Sequence, residues 1–239
     1  MNHSEQQPTD AASPNAKRIS HRWPLISGIG ALVLAGLLGA LLIVRANGEP
    51  TVLDVEWMSE IIEHRSPWWT VPSLAMNYIG GGIIGIFVVP IVIIVALLLV
   101  KRPTAALYYL AATLLSSAVV QILKNVFGRA RPEDILVTSD FGSFPSGHVA
   151  NAATMAVTLG IIFPRVWVWV AGAIYTVVMM LSRTYLGAHW LTDTIGGLLV
   201  GIGVAIVVWV PLAARLDGER NLRQRPNADG GATPARSAH

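Results

Sequence analysis

Cysteine is absent from the 239 residues, so thiolate catalysis, thiolate metal ligation and disulfide bridging are all excluded. Charge is scarce as well. Asp, Glu, Lys and Arg make up 13% of the chain against 53% hydrophobic residues, roughly half the charged share of an ordinary soluble domain. The net charge of +3 is small and falls in tails and short loops rather than on one face, which argues against a nucleic-acid-binding surface. What is plentiful is long apolar sequence, with a mean hydropathy of +0.56. The length and this bias together predict a small bundle of membrane helices.

Six apolar runs carry that expectation: about 25–44, 74–100, 105–123, 146–163, 166–181 and 191–212. They predict an all-α, polytopic membrane domain over 23–212, with polar, disordered tails at 1–22 and 213–239. The first run follows Lys17, Arg18 and Arg22 and lacks a small-residue cleavage site at Arg45-Ala46-Asn47-Gly48, so it reads as a retained span and not a signal peptide. Gly80-Gly81-Gly82 and Pro90 fall inside the second run and predict a kink rather than a break. Between the first two runs, Leu53, Trp57 and Ile61 recur every four residues among Asp54, Glu56, Glu60 and Glu63. That pattern fits a short amphipathic helix along the interface, and a solvated connector fits it equally. Gly197-x-x-x-Gly201 in the sixth run permits close helix approach.

Six spans place both termini on one side. Eleven of the seventeen Lys and Arg residues then lie on the terminal side, so the termini are expected to be cytoplasmic. The end of the third run, the start of the fourth, and the junction of the fifth and sixth would meet on the extracytoplasmic face of the cell membrane. Those places hold the polar residues. Lys124 and Arg131-Pro132 come first, then Pro145-Ser146-Gly147-His148, then Ser182-Arg183 through His189 to Asp193. Three cations beside the free N–H groups of a Ser-Gly helix start describe an anion site of the kind phosphate occupies. A helical segment through His189 and Asp193 would put them one turn apart, where a carboxylate can orient an imidazole. Two histidines and Asp193 could instead ligate a metal, but the three cations would oppose a divalent ion.

Lys124-x6-Arg131-Pro132, Pro145-Ser146-Gly147-His148 and Ser182-Arg183-x5-His189-x3-Asp193, in that order, resemble the three signature motifs of the type 2 phosphatidic acid phosphatase (PAP2) superfamily, which also contains the vanadium-dependent haloperoxidases. Every motif position is intact, and the resemblance runs from about Leu53 to Val210. Ala130, where many relatives have proline, lies outside the motifs. The resemblance implies a metal-independent, cofactor-free phosphatase acting on a lipid phosphate. His189 would attack phosphorus to form a phosphohistidine, Asp193 would orient it, and His148 would serve as acid and then base. Lys124, Arg131, Ser146, Gly147 and Arg183 would hold the phosphate oxygens. Arg129 is outside the motifs and is expected to meet headgroups or a substrate tail. Polyprenyl diphosphate, phosphatidic acid and phosphatidylglycerol phosphate are the substrate candidates. A vanadate-dependent haloperoxidase and a non-catalytic lipid-phosphate binder or transporter are the rivals. Neither the preferred lipid nor the oligomeric state is legible.

Overall fold

The computed structural model describes residues 14–224. Among them the chain is all α: α1 (Pro14–Ala46), α2 (Val52–Glu63), α3 (Pro67–Gly80), α4 (Val89–Leu99), α5 (Pro103–Phe127), α6 (Gly147–Ile162), α7 (Val166–Tyr185) and α8 (Leu191–Gln224), with a π-helical turn at Ile84–Val88 ahead of α4. Four helical stretches are long and apolar enough to cross a membrane: Arg22–Arg45, Pro103–Phe127, Val166–Tyr185 and Leu191–Leu222. The pair α3 and Ile84–Leu99 forms a fifth, bent by 47°. The protein is a multi-pass membrane protein. Its outward-facing Leu34, Val92, Leu114 and Trp167 are exposed, as side chains turned toward lipid are.

Three expectations need correction. Residues 74–100 do not form one kinked helix. Helix α3 ends at Gly80, Gly81 is extended, and Gly82 adopts φ +55°, a left-handed conformation that glycine takes without the steric cost of a Cβ. Pro90 lies just past the π-helical turn within the helical stretch Ile84–Leu99, where it has no N–H to give to the preceding turn. Second, α1 already begins at Pro14 and α8 runs to Gln224, so segments 14–22 and 213–224 are helical rather than tail. The extension of α8 is anchored where Glu219 accepts from Arg102 Nε at 3.3 Å and from the Thr104 backbone N–H at 2.7 Å. The outer parts of the expected tails, 1–13 and 225–239, lie outside the described residues. Third, α2 buries Asp54 and Met58, while Leu53 of the expected apolar stripe is exposed.

Helix α6 has sixteen residues, shorter than the long spans, and packs among α5, α7 and α8. Its crossing with α8 is as close as the glycine spacing suggests. A Cβ on Gly197 would come 2.4 Å from the Ser146 carbonyl oxygen, and one on Gly201 would come 2.5 Å from that of Ala150. Thr154 on α6 meanwhile donates to Ser116 on α5 at 2.9 Å. These contacts fix the start of α6 against the start of α8, and the Ser146 N–H donates to the Asp193 carbonyl at 2.9 Å. One end of the bundle thus gathers the last turns of α5 and α7 and the first turns of α6 and α8.

Candidate active site

Helix α5 ends at Gly128, whose φ of +54° makes the left-handed cap that satisfies a terminal carbonyl and swings Arg129 and Arg131 over the bundle. Lys124, in the last turn, is buried. Its ammonium donates to the Gly142 carbonyl at 2.8 Å and to Asp140 Oδ1 at 3.1 Å. Arg131 donates to the same Asp140 oxygen at 2.7 Å and to the Ala188 carbonyl at 2.5 Å. Arg183, in the last turn of α7, donates to Asn77 Oδ1 on α3 at 2.5 Å. Lys124, Arg131 and Arg183 line one cavity of about 390 Å³ together with Gly147, His148 and His189.

His189 lies in the turn between α7 and α8, is 2% exposed, and packs its Nδ1 2.7 Å from the Ser143 carbonyl oxygen. A carbonyl only accepts, so Nδ1 carries the proton and Nε2 keeps its lone pair. Nε2 stands 3.3 Å from Arg131 Nη1, on the cavity side. Burial pushes the ring's pKa well below the ordinary histidine value, and Arg183, Arg131, Lys124 and His148 push it further. The ring is neutral at physiological pH, with an unprotonated nitrogen among cations that accepts from Arg131. That is the state of an imidazole able to attack an anionic phosphorus centre.

Asp193 is not on the same helical turn as His189, because α8 begins only at Leu191. Its Oδ2 is 3.8 Å from His189 Nδ1, beyond hydrogen-bond distance, and instead accepts the Trp190 N–H at 2.9 Å, the reciprocal half of a capping box. The direct orienting acceptor of His189 is therefore Ser143. The carboxylate acts on the ring through space.

His148 Nε2 lies 3.2 Å from the Asn77 carbonyl, and its ring packs so closely on Gly81 that a Cβ there would fall 2.1 Å from Nε2. The break after α3 makes room for this histidine. Ser146 is the N-cap of α6, but its side chain makes no capping bond. Its hydroxyl and the Arg183 Nε are buried and find no partner among the described residues. Buried donors are costly unless paired, and these two fit an anion held by Ser146, Gly147 and Arg183. Six of the expected residues thus line the cavity, and Ser146 and Asp193 stand directly behind it.

Three residues here were not expected from sequence. Asn77 holds both His148 and Arg183, and an amide in an apolar run is the one signal that could have flagged it. Ser143 had no signal. Arg129 had been assigned to headgroups. Its side chain is instead fully buried between Asp54 and Asp193, with nitrogen–oxygen distances of 2.8 and 2.6 Å.

Residues 105–216 match the model of the PAP2 superfamily. Over 65 residues the chain is 42% identical to an undecaprenyl-diphosphatase of Sulfolobus acidocaldarius, covering 27% of this chain and 31% of that protein. Over 92 residues it is 32% identical to phosphatidylglycerophosphatase B of Bacillus subtilis, covering 34% and 45%. The chain spans less than half the length of the curated relatives it matches. The crystal structure of a transmembrane PAP2-type phosphatidylglycerolphosphate phosphatase from Bacillus subtilis shares the fold with a TM-score of 0.64 at 23% identity, over 84% of this chain and 98% of that one. The matched segment, a little under half of the chain, contains every motif residue placed at or behind the cavity, and over that segment the chain matches the PAP2 superfamily.

Proposed function

We propose that the protein is a membrane-embedded lipid phosphate phosphatase working through a phosphohistidine. The observation that carries this is His189, neutral, with an unprotonated Nε2 that accepts from Arg131 and faces a cavity lined by Lys124, Arg131 and Arg183. The Nε2 lone pair forms an N–P bond as the P–O bond to the lipid breaks, and the departing oxygen takes a proton from His148. Water then attacks phosphorus, gives its proton to His148, and phosphate leaves as the N–P bond breaks. The three cations, the Ser146 hydroxyl and the Gly147 N–H stabilise the charge that gathers on the non-bridging oxygens.

These groups take the part a metal plays elsewhere, so the reaction runs without one. Purified protein should release inorganic phosphate from a lipid phosphate at the same rate with and without EDTA. Complete loss on chelation, restored by a divalent ion, would contradict the reading.

The cavity also supports a lipid as substrate. From Lys124 it continues down α5 past Gln121, Ser117 and Thr113 and against Ile86, about 16 Å along the helix axis at 1.5 Å per residue. A chain attached to the bound phosphate can lie there at membrane depth. Polyprenyl diphosphate is the favoured candidate, in keeping with the undecaprenyl-diphosphatase relative, and phosphatidic acid is the second. Counting α6 as a span gives six. Together with the Lys and Arg distribution, that count supports cytoplasmic termini and a site on the extracytoplasmic face of the cell membrane. A reporter fused after Lys101 should read cytoplasmic and one inserted near Asp140 extracytoplasmic. The opposite pair of readings would invert the topology.

A further inference from the structure

Arg129 and Asp54 belong to none of the three motifs, and Asp54 lies outside the segment that matches the family. Both side chains are fully buried. Arg129 Nη2 donates to Asp54 Oδ2 at 2.8 Å, and Nη1 donates to Asp193 Oδ1 at 2.6 Å and to Thr192 Oγ1 at 2.7 Å. Asp54 is held in turn by the Thr192 N–H at 2.9 Å and the Thr192 hydroxyl at 2.9 Å. It lies outside the spans. Burial works to raise its pKa, but the bonds from Arg129 and Thr192 outweigh it and the carboxyl stays ionised. A surface helix, α2, has thus sent a charged side chain inward to complete an ion network beneath the nucleophile.

Arg129 reaches His189 by two routes. Its side chain grips Asp193, whose other oxygen is 3.8 Å from His189 Nδ1. Its backbone carbonyl accepts the Ser143 N–H at 2.9 Å, and Ser143 is the acceptor that holds the Nδ1 proton. Two carboxylates and one guanidinium leave one net negative charge behind the ring. Lys124, Arg131 and Arg183 stand on the other side. When Nε2 bonds to phosphorus the ring becomes cationic, and that rear charge then stabilises it.

We infer that Arg129 and Asp54 are positioning residues for phosphoryl transfer: they fix the place and charge of Asp193, and so the orientation and charge stabilisation of His189, without touching substrate. This role rests on the phosphatase reading. It makes α2 part of the catalytic apparatus, in place of the interfacial anchor or connector suggested by its sequence.

The test uses the full chain in detergent or lipid, with two variants. Asp54→Asn removes one charge and keeps the shape. Because a lone Arg129 substitution would strand two buried carboxylates, the second variant is Asp54→Asn combined with Arg129→Met, which leaves Asp193 the only carboxylate. Thermal protection by orthovanadate reports anion binding separately from turnover. We expect both variants to fold and to bind orthovanadate within twofold of the parent. Turnover should fall about 10²-fold in the double variant, which keeps the net negative charge but loses the grip on Asp193, as for a displacement of about 1 Å at the reacting groups. It should fall less in Asp54→Asn, which loses the net charge but keeps the grip. KM should barely move, and formation of the phosphoenzyme should slow in step with turnover. Folded variants with unchanged turnover, or a loss confined to KM or orthovanadate binding, would overturn the inference. So would loss of folding in both variants, which would make the network purely structural. A parent protein that binds orthovanadate but releases no phosphate would instead defeat the phosphatase reading.

Discussion

His189→Ala should abolish phosphate release, with a loss on the order of 10⁴- to 10⁶-fold, the scale seen when a covalent nucleophile is removed. Alanine leaves the surrounding cations in place, because each has anchors of its own: Lys124 on Asp140 and Gly142, Arg131 on Ala188 and Asp140, and Arg183 on Asn77. Orthovanadate binding should therefore survive while turnover does not. The wild-type pH profile carries a second signature. The nucleophile must be unprotonated, and burial together with Arg183, Arg131, Lys124 and His148 holds its pKa well below 6.5. Acidification through the ordinary histidine range should then leave kcat/KM undiminished by this residue, and an acid limb due to His189 should appear only at lower pH. Appreciable turnover in His189→Ala would remove His189 from its assigned role.

The second large effect is expected at His148, and it should depend on the leaving group. His148→Ala takes away the acid, a contribution of about 10²- to 10⁴-fold for a poorly leaving alkoxide. A diphosphate substrate expels a phosphomonoester, which departs with little help. The variant should thus lose far more activity on phosphatidic acid than on polyprenyl diphosphate, and least on an aryl phosphate. Because hydrolysis of the phosphohistidine is common to all three, the contrast is read in phosphoenzyme formation, where a uniform loss would mean that His148 positions the phosphate instead of protonating the departing oxygen. In the resting site its Nε2 proton is given to the Asn77 carbonyl at 3.2 Å, so the leaving oxygen must compete with that acceptor.

Much of this site could be read from the chain before any fold was known. Lys124, Arg183 and His148 sit at the ends of apolar runs, with Arg131 in the polar segment after one of them, and the alternation of spans brings such ends to one membrane depth. What escaped was whatever depended on a partner far away in sequence. Asp54 looks like one acid among several on an amphipathic helix; only the packing of α2 on the start of α8 shows that it meets Arg129, 75 residues on. Arg129 looked like a snorkelling cation because nothing local offers it a counterion. The spacing of His189 and Asp193 suggested a shared helical face, yet the chain turns at His189 and hands its Nδ1 proton to Ser143, whose carbonyl no side-chain pattern could mark. The break at Gly81 was misjudged as a kink for the same reason. His148 on α6 packs against the extended Gly81, and apolar periodicity cannot register such a contact.

The central claim is that phosphorus is transferred to His189, and one experiment addresses it directly. Protein mixed with a lipid substrate carrying labelled phosphate should be quenched within a single turnover, digested, and searched for the label. The account predicts an acid-labile, base-stable phosphoramidate on the peptide containing His189, formed no more slowly than phosphate is released and absent in His189→Ala. Release of labelled phosphate from wild-type protein with no label on that peptide at any time before the first turnover, or label on another side chain, would contradict it.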